Sequence, residues 1–367
     1  MLNNIQALRA IAALLVVLVH VGAIPHLALG TTMRFGHSGV DLFFVISGFV
    51  MVYTYARRPL SPRGFLLNRI IRVVPLYWAF TILLFLVAVV SGYPLMQASR
   101  PTTIQFVQSL AFVPFRQASG AMEPLYFLGW TLNYEMMFYA LFAIAIAMGG
   151  GRLWRVVAIA VAAVVVLAAT GVALAPASPW LAFYTSPILL AFAIGMGIAF
   201  AVVRGVAVGP SIAIVMLALG AVLLLLAPQF GLRIHSPLFG IASGAILTGA
   251  VALEQCGWRT RSRTALLLGA ASYALYLSHP FATAIGDRIS ARAPAGMAFP
   301  IALLVTLLIA IPLALAIHFA FERPATALLR RLIDHRRPIV DVAEDAVVGT
   351  IARAAATNEA AGRSRRR

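Results

Sequence analysis

Runs of about twenty apolar residues, separated by short polar breaks that carry arginine, fill most of this 367-residue chain. A helix needs about 20 apolar residues to cross the hydrocarbon core of a bilayer. On that measure the pattern predicts ten spans: Ile5–Ile24, Val40–Tyr55, Val73–Ser91, Leu125–Met148, Leu153–Val172, Trp180–Val203, Ser211–Ala227, Ser236–Leu253, Ala265–Gly286 and Ala298–Phe319. The second and seventh are the shortest. Thr103–Phe115 is too short and too polar to cross and is expected at the interface. Beyond Pro324 the apolar pattern gives way to charge. Residues 1–324 are therefore read as one transmembrane domain and 325–367 as a basic tail, an interfacial helix followed by disorder. No segment repeats at a fixed period, which speaks against an inverted-repeat transporter. The N-terminus has neither a basic leader ahead of its apolar run nor a small-residue cleavage site after it, so no cleavable signal is expected.

Composition fits this reading. Apolar residues make up 62% and charged residues only 11%, under half the share of about 25% usual in soluble domains. A soluble enzyme, a secreted disulfide scaffold and a disordered chain are excluded. The predicted class is an all-α integral membrane protein, a bundle of about ten helices. The single cysteine, Cys256, cannot form an intrachain disulfide, and no Cys/His zinc spacing occurs, so no metal is expected.

All 28 basic residues are arginines, against 11 acidic ones, giving a formal charge of +17. Such a surplus also suits nucleic acid, but in a membrane chain it reads as an orientation signal and no nucleic-acid partner is expected. Loops on one side hold Arg57, Arg58, Arg63, Arg69, Arg72, Arg152, Arg155, Arg204, Arg259, Arg261 and Arg263, and the opposite loops hold Arg34, Arg100, Arg116, Arg233, Arg288 and Arg292. The positive-inside rule then places both termini in the cytoplasm.

Ionisable groups inside spans cost about 2.5–3.5 kcal/mol each on the insertion scale, so each is a functional candidate. Arg9 and His20 are eleven residues apart, close to three full helical turns, and share one face with about 16 Å of axial separation. A cation near the cytoplasm below a titratable imidazole suits a reagent whose anionic end stays behind; the plainer reading is an arginine snorkelling to headgroups and a satisfied core histidine. Ser38-Gly39-Val40-Asp41 reads as a capping box, or as a carboxylate, Asp41, that orients His20 across the first loop. Ser47-Gly48 leaves room for close helix contact. Arg69 and Arg72, one turn apart, suit a phosphate clamp or a simple cytoplasmic anchor. Glu135 lies near mid-membrane, where no cap explains it. His279 precedes Pro280, whose ring disrupts the helix at Tyr276; the imidazole is either a site residue or a partner for the loosened carbonyl. His318 and Glu322 fit a structural role better, and the loop residues His26, His37 and His235 receive none.

Five runs in order resemble the acyltransferase-3 family of bacterial integral membrane acyltransferases, and most closely its branch linked to exopolysaccharide O-acetylation. They are Leu8-Arg9-Ala10 through His20; Gly39 to Phe49; Arg69, Arg72, Pro75 and Tyr77; Trp130 to Tyr139 around Glu135; and Ser272 to Pro280, with Phe321-Glu322-Arg323-Pro324 closing the domain. The resemblance implies a ten-helix domain in the bacterial inner membrane that moves an acetyl or other short acyl group from cytoplasmic acetyl-CoA to a sugar hydroxyl of an exopolysaccharide, lipopolysaccharide or lipid-linked glycan. Membrane lipid and a polysaccharide assembly machinery are implied partners. Arg9 and His20 match the family's catalytic signature, with His20 as general base. Arg9, Arg69, Arg72 and Tyr77 would hold the donor, and Glu135, Asp41 and His279 would complete the catalytic set. Attack by the hydroxyl directly, or after an acyl-enzyme step, both remain open. Many members carry an additional hydrolase-like C-terminal domain, which this chain is expected to lack. An exporter of acylated glycan or lipid without chemistry, and an acyltransferase for a small-molecule acceptor, are the alternatives.

Overall fold

Lipid offers backbone amides no partner, so each apolar run must close its own hydrogen bonds, and the chain is accordingly almost all helix. The computed structural model describes residues 2–27, 32–91, 101–231, 235–294 and 296–333. In chain order the helices are α1 (Asn3–Gly22), α2 (Ser38–Arg57), α3 (Pro62–Ser91), α4 (Thr103–Leu110), α5 (Gly129–Met148), α6 (Leu153–Leu174), α7 (Pro179–Tyr184), α8 (Leu190–Val203), α9 (Pro210–Leu226), α10 (Pro237–Gln255), α11 (Arg263–Ala270), α12 (Ser272–Ser290), α13 (Ala298–Ile317) and α14 (Arg323–Ile333). A two-residue hairpin, β1 (Phe115–Arg116) antiparallel to β2 (Met122–Glu123), lies between α4 and α5.

Among the described residues, nine helical stretches are long and apolar enough to cross a membrane. A tenth crossing is supplied by α12, which has 19 residues but a more polar sequence. Its Ser272, Ser278 and His279 are all buried inside the bundle rather than turned to lipid. Burial separates inner from outer helices: α1 buries 67% of its apolar window, whereas α9 buries 22%. The tail beyond Ile333 lies outside the described residues; before it, α14 carries exposed Leu328, Leu332 and Ile333 and ends on Arg330 and Arg331.

Several predicted boundaries are corrected. The span expected over Ala265–Gly286 breaks at Ala271 into α11 and α12. Gly269 there packs on the backbone of Gln6, where a Cβ would stand 2.1 Å from the carbonyl oxygen. The span expected over Trp180–Val203 is interrupted before Pro187, because a residue preceding proline resists the helical conformation. The third helix starts eleven residues earlier than expected, at Pro62, and carries Arg69 and Arg72 within it. The capping box expected at Ser38 does not form. A 3-10 turn, Thr32–His37, runs straight into α2, so the Ser38 hydroxyl donates back to the Phe35 carbonyl at 2.5 Å and Asp41 is released for another partner.

Two devices fix the inner helices. The Glu254 carboxylate at the end of α10 accepts from the backbone amides of Asn3 (2.8 Å) and Asn4 (2.7 Å), two of the orphan donors that begin α1. The Asn4 side chain completes the clamp by donating to the Ala250 and Trp258 carbonyls and accepting from Thr260. Between α2 and α8, glycines pack reciprocally: a Cβ on Gly48 would lie 2.2 Å from the Phe192 carbonyl oxygen, and one on Gly195 2.0 Å from that of Val45. The room anticipated at Ser47-Gly48 is thus filled by a helix backbone.

This packing is tested by a matched pair on α8. Gly195→Ala is expected to cost about 1–3 kcal/mol through overpacking, read as a lower temperature at which the detergent-solubilised protein stops eluting as a single species. Gly197→Ala, where a Cβ meets nothing within 4 Å, should leave that temperature unchanged.

Candidate active site

A partly enclosed cavity of about 130 Å³ opens among α1, α2, α3, α5 and α12. Its walls carry Arg9 from α1, Arg69 and Arg72 from α3, Ser47 from α2, Glu135 and Tyr139 from α5, and Tyr273 and Tyr276 from α12. Arginines from two different helices therefore converge, as the one-turn spacing of Arg69 and Arg72 and the buried position of Arg9 allow. Arg9 Nη1 donates to Gln6 Oε1 at 3.2 Å. The Arg69 guanidinium lies 5.4 Å from the Phe65 ring and 5.7 Å from that of Tyr139, and Nη2 donates to Thr54 Oγ1 at 3.3 Å. Such aromatic and hydrogen-bonding neighbours orient the Arg69 guanidinium.

Glu135 is the carboxylate of this cavity. It accepts from Ser47 Oγ at 3.2 Å and from the Tyr139 hydroxyl one turn along its own helix. The expectation that Asp41 would orient His20 is corrected: Asp41 bonds to His235, while Glu135 is engaged by Ser47 and Tyr139. Tyr77, expected with the donor-binding arginines, does not line the cavity. Five residues beyond Arg72 it is rotated about 140° around α3, is fully buried, and packs 4.8 Å from the ring of Phe112.

The cavity ends at a layer containing Val40, Phe43, Thr131 and Tyr276. The Tyr276 hydroxyl is held there by the Leu128 carbonyl (2.9 Å) and Thr131 Oγ1 (2.8 Å). Its ring lies 6.3 Å from that of His279, which in turn meets His20 at 4.8 Å with the planes tilted by 64°. The structure thus brings His20 and His279, from α1 and α12, into direct contact, with Phe127 5.7 Å from His20. His20 is not itself a cavity wall; Tyr276 links the two.

The two imidazoles are held the same way. His20 Nδ1 is 2.7 Å from the Val16 carbonyl oxygen, and His279 Nδ1 is 2.8 Å from that of Tyr276 and 3.3 Å from that of Leu275. A carbonyl only accepts, so each Nδ1 carries the proton and, in the neutral ring, each Nε2 keeps its lone pair. Proline explains the second case. Pro280 has no N–H for the carbonyl four residues back, which is that of Tyr276, and the adjacent His279 supplies the missing donor. Buried His279 Nε2 has no hydrogen-bond partner among the described residues.

Asp41 and His235 form a separate pair, with Oδ2 2.9 Å from Nδ1 and the carboxylate 1% exposed. The His235 ring is 5.8 Å from that of His37 and 5.5 Å from that of Trp130. His37 and His235 had been given no role; their meeting joins residues nearly 200 positions apart, and nothing local in the sequence signals it. His318 and Glu322 bond to each other at 2.8 Å in a π-helical turn after α13.

A family model described as an acyltransferase domain matches residues 2–317. The chain is also 33% identical, over 311 residues, to the exopolysaccharide production protein ExoZ of Rhizobium meliloti (strain 1021), covering 82% of this chain and 92% of that protein. No solved structure matches.

Proposed function

The chain belongs to the acyltransferase family whose domain it matches over nearly its whole described length, and from that premise we propose that it is an O-acyltransferase of the bacterial inner membrane. In this reading it moves an acetyl or other short acyl group from cytoplasmic acyl-CoA to a sugar hydroxyl of an exopolysaccharide or a lipid-linked glycan. The glycan acceptor is suggested by the similarity to an exopolysaccharide production protein. One observation carries the mechanism: a cavity walled by three arginines stops at Tyr276, and behind that ring lies a pair of imidazoles whose Nε2 atoms are acceptors in their neutral form.

The cavity is partly enclosed and of about 130 Å³; in this reading the acyl arm enters it and the phosphates of acyl-CoA remain at the mouth. Arg9, Arg69 and Arg72 are the donor set that suits them, since guanidinium pairs with phosphate through charge-assisted bonds. The donor supplies an activated acyl thioester. His20 does the rest: a sugar hydroxyl is a poor nucleophile at neutral pH, and His20 Nε2 takes its proton as it attacks. The proton returns to the departing thiolate. His279 offers a second acceptor nitrogen beside His20. Glu135, held by Ser47 and Tyr139, sets the spacing of the arginines rather than the basicity of His20.

Purified protein in lipid nanodiscs, given acetyl-CoA and de-O-acetylated glycan, should release CoA and add acetyl to the glycan. His20→Ala should lower transfer by about 10²-fold or more, the usual contribution of a general base, with melting behaviour unchanged. Arg69→Ala should weaken acetyl-CoA binding about tenfold, as expected for loss of a charge-assisted bond. Undiminished transfer by His20→Ala would remove the mechanism.

The same reading puts the arginine mouth on the cytoplasmic side, as the positive-inside rule requires. Exposed Cys256 caps α10 at that end of the bundle. A membrane-impermeant maleimide should therefore label it in inverted vesicles and not in intact spheroplasts. The opposite pattern would reverse the orientation.

A further inference from the structure

The end of the bundle away from the arginines carries polar groups that donor binding does not use. The Glu254 clamp joins the start of α1 to the end of α10, so the end of α1 and the start of α10 lie together at the opposite end. The short first connection brings the start of α2 to the same level. There a Cβ on Gly36 would lie 2.6 Å from the Leu15 carbonyl oxygen and 2.7 Å from Val19 Cβ, which seats His37 against the last turns of α1 beside His20. The entry to α5 contributes Phe127, against His20, and Trp130, against His235.

Three features distinguish this group from ordinary packing. Asp41 is a carboxylate buried to 1% exposure and compensated by His235; burying such a pair is costly unless it serves a purpose beyond stability. The pair fixes His235 Nδ1 as the donor and, in the neutral ring, leaves Nε2 as an acceptor. His235 also holds a φ of +59°, which non-glycine residues seldom adopt. Finally, His37, Trp130 and His235 are all part-exposed, while neighbouring Leu128, Gly129 and Leu132 are buried. An indole and imidazoles at an accessible edge, backed by a buried carboxylate, present a flat apolar face next to fixed hydrogen-bonding groups. A sugar ring has the matching shape: one face of C–H groups and a rim of hydroxyls.

We propose that Trp130, His235 and Asp41, with His37 at their side, form the subsite for the acceptor sugar, reaching His20 from the side opposite the arginine cavity. Trp130 stacks on the sugar face, His235 Nε2 accepts from a hydroxyl, and Asp41 holds His235 in the tautomer that can do so. This rests on the acyltransferase reading, yet sugar binding and acyl transfer fail separately.

The test uses the full chain in nanodiscs and, as probe, tritiated oligosaccharides cut from de-O-acetylated exopolysaccharide of the source cells, with no acyl donor present. Wild type should bind them saturably. Trp130→Ala and His235→Ala should each weaken that binding at least tenfold, while acetyl-CoA binding changes less than twofold. Trp130→Phe should keep most of the affinity, because it keeps a flat ring, and Asp41→Asn should lose affinity without a change in melting temperature. Absence of saturable binding by wild type, unchanged binding in Trp130→Ala and His235→Ala, or a parallel loss of acetyl-CoA binding would each overturn the subsite. Sugar binding that behaves as expected in a protein that transfers no acetyl group would instead sink the enzyme reading and leave the subsite standing.

Discussion

The position of α1 along the bundle axis is the constraint on which the site depends. Its first turn has donor amides that no residue of the helix can satisfy, and at an apolar boundary an unsatisfied amide is expensive. Glu254 accepts two of them and places negative charge at the positive end of the helix dipole. Asn4 ties the same turn to both sides of the α10–α11 connection. Once that end is fixed, the 1.5 Å rise per residue fixes the rest: Arg9 at the level of Arg69 and Arg72, His20 at the level of His279. A slip of one turn would move His20 past its partner and withdraw Arg9 from the cavity.

The second determinant is the proline in α12. In a uniform helix the Tyr276 carbonyl would be bonded to the amide at position 280, and His279 would have no backbone partner to turn toward. Pro280 frees the carbonyl, and His279 Nδ1 takes it. The same side-chain bond fixes which nitrogen is the acceptor, so one missing backbone donor sets the tautomer. Nearby, the Tyr126 hydroxyl donates to the Leu277 carbonyl, binding the entry of α5 to the same turn of α12. Both alternatives that the sequence left open for His279 therefore describe one fact: it satisfies the loosened carbonyl, and by doing so it is presented to His20.

Local pattern carried the fold a long way. The ten crossings, the shared face of Arg9 and His20, and the close approach at Gly48 all follow from helical periodicity and residue size. Arg69 and Arg72 were legible as a pair for the same reason. What failed was what periodicity does not encode. Tyr77 was grouped with the arginines by proximity in sequence, although its angle on α3 turns it away. On sequence alone Asp41 is paired by the first loop with His20, whereas its partner, His235, lies 194 residues on. The break at Ala271 was hidden because α11 and α12 are each apolar enough to continue the other. Glu254 attracted no notice, since a carboxylate at a span end looks like an ordinary surface charge until the helix it caps is placed beside it.

The order of charged groups along the axis follows from what each costs to place in lipid. A guanidinium is never neutral under ordinary conditions, and Arg9, Arg69 and Arg72 converge on one cavity whose wall also carries the Glu135 carboxylate. A carboxylate is tolerated deeper only with a committed partner, and Asp41 has His235. Between these, where a proton must be taken up and given back, the one side chain that is both neutral in lipid and basic enough near neutral pH is imidazole, and two of them meet there. On the proposed reading, an anionic donor and a neutral sugar approach from opposite ends, each through groups suited to it, and meet at the imidazole pair.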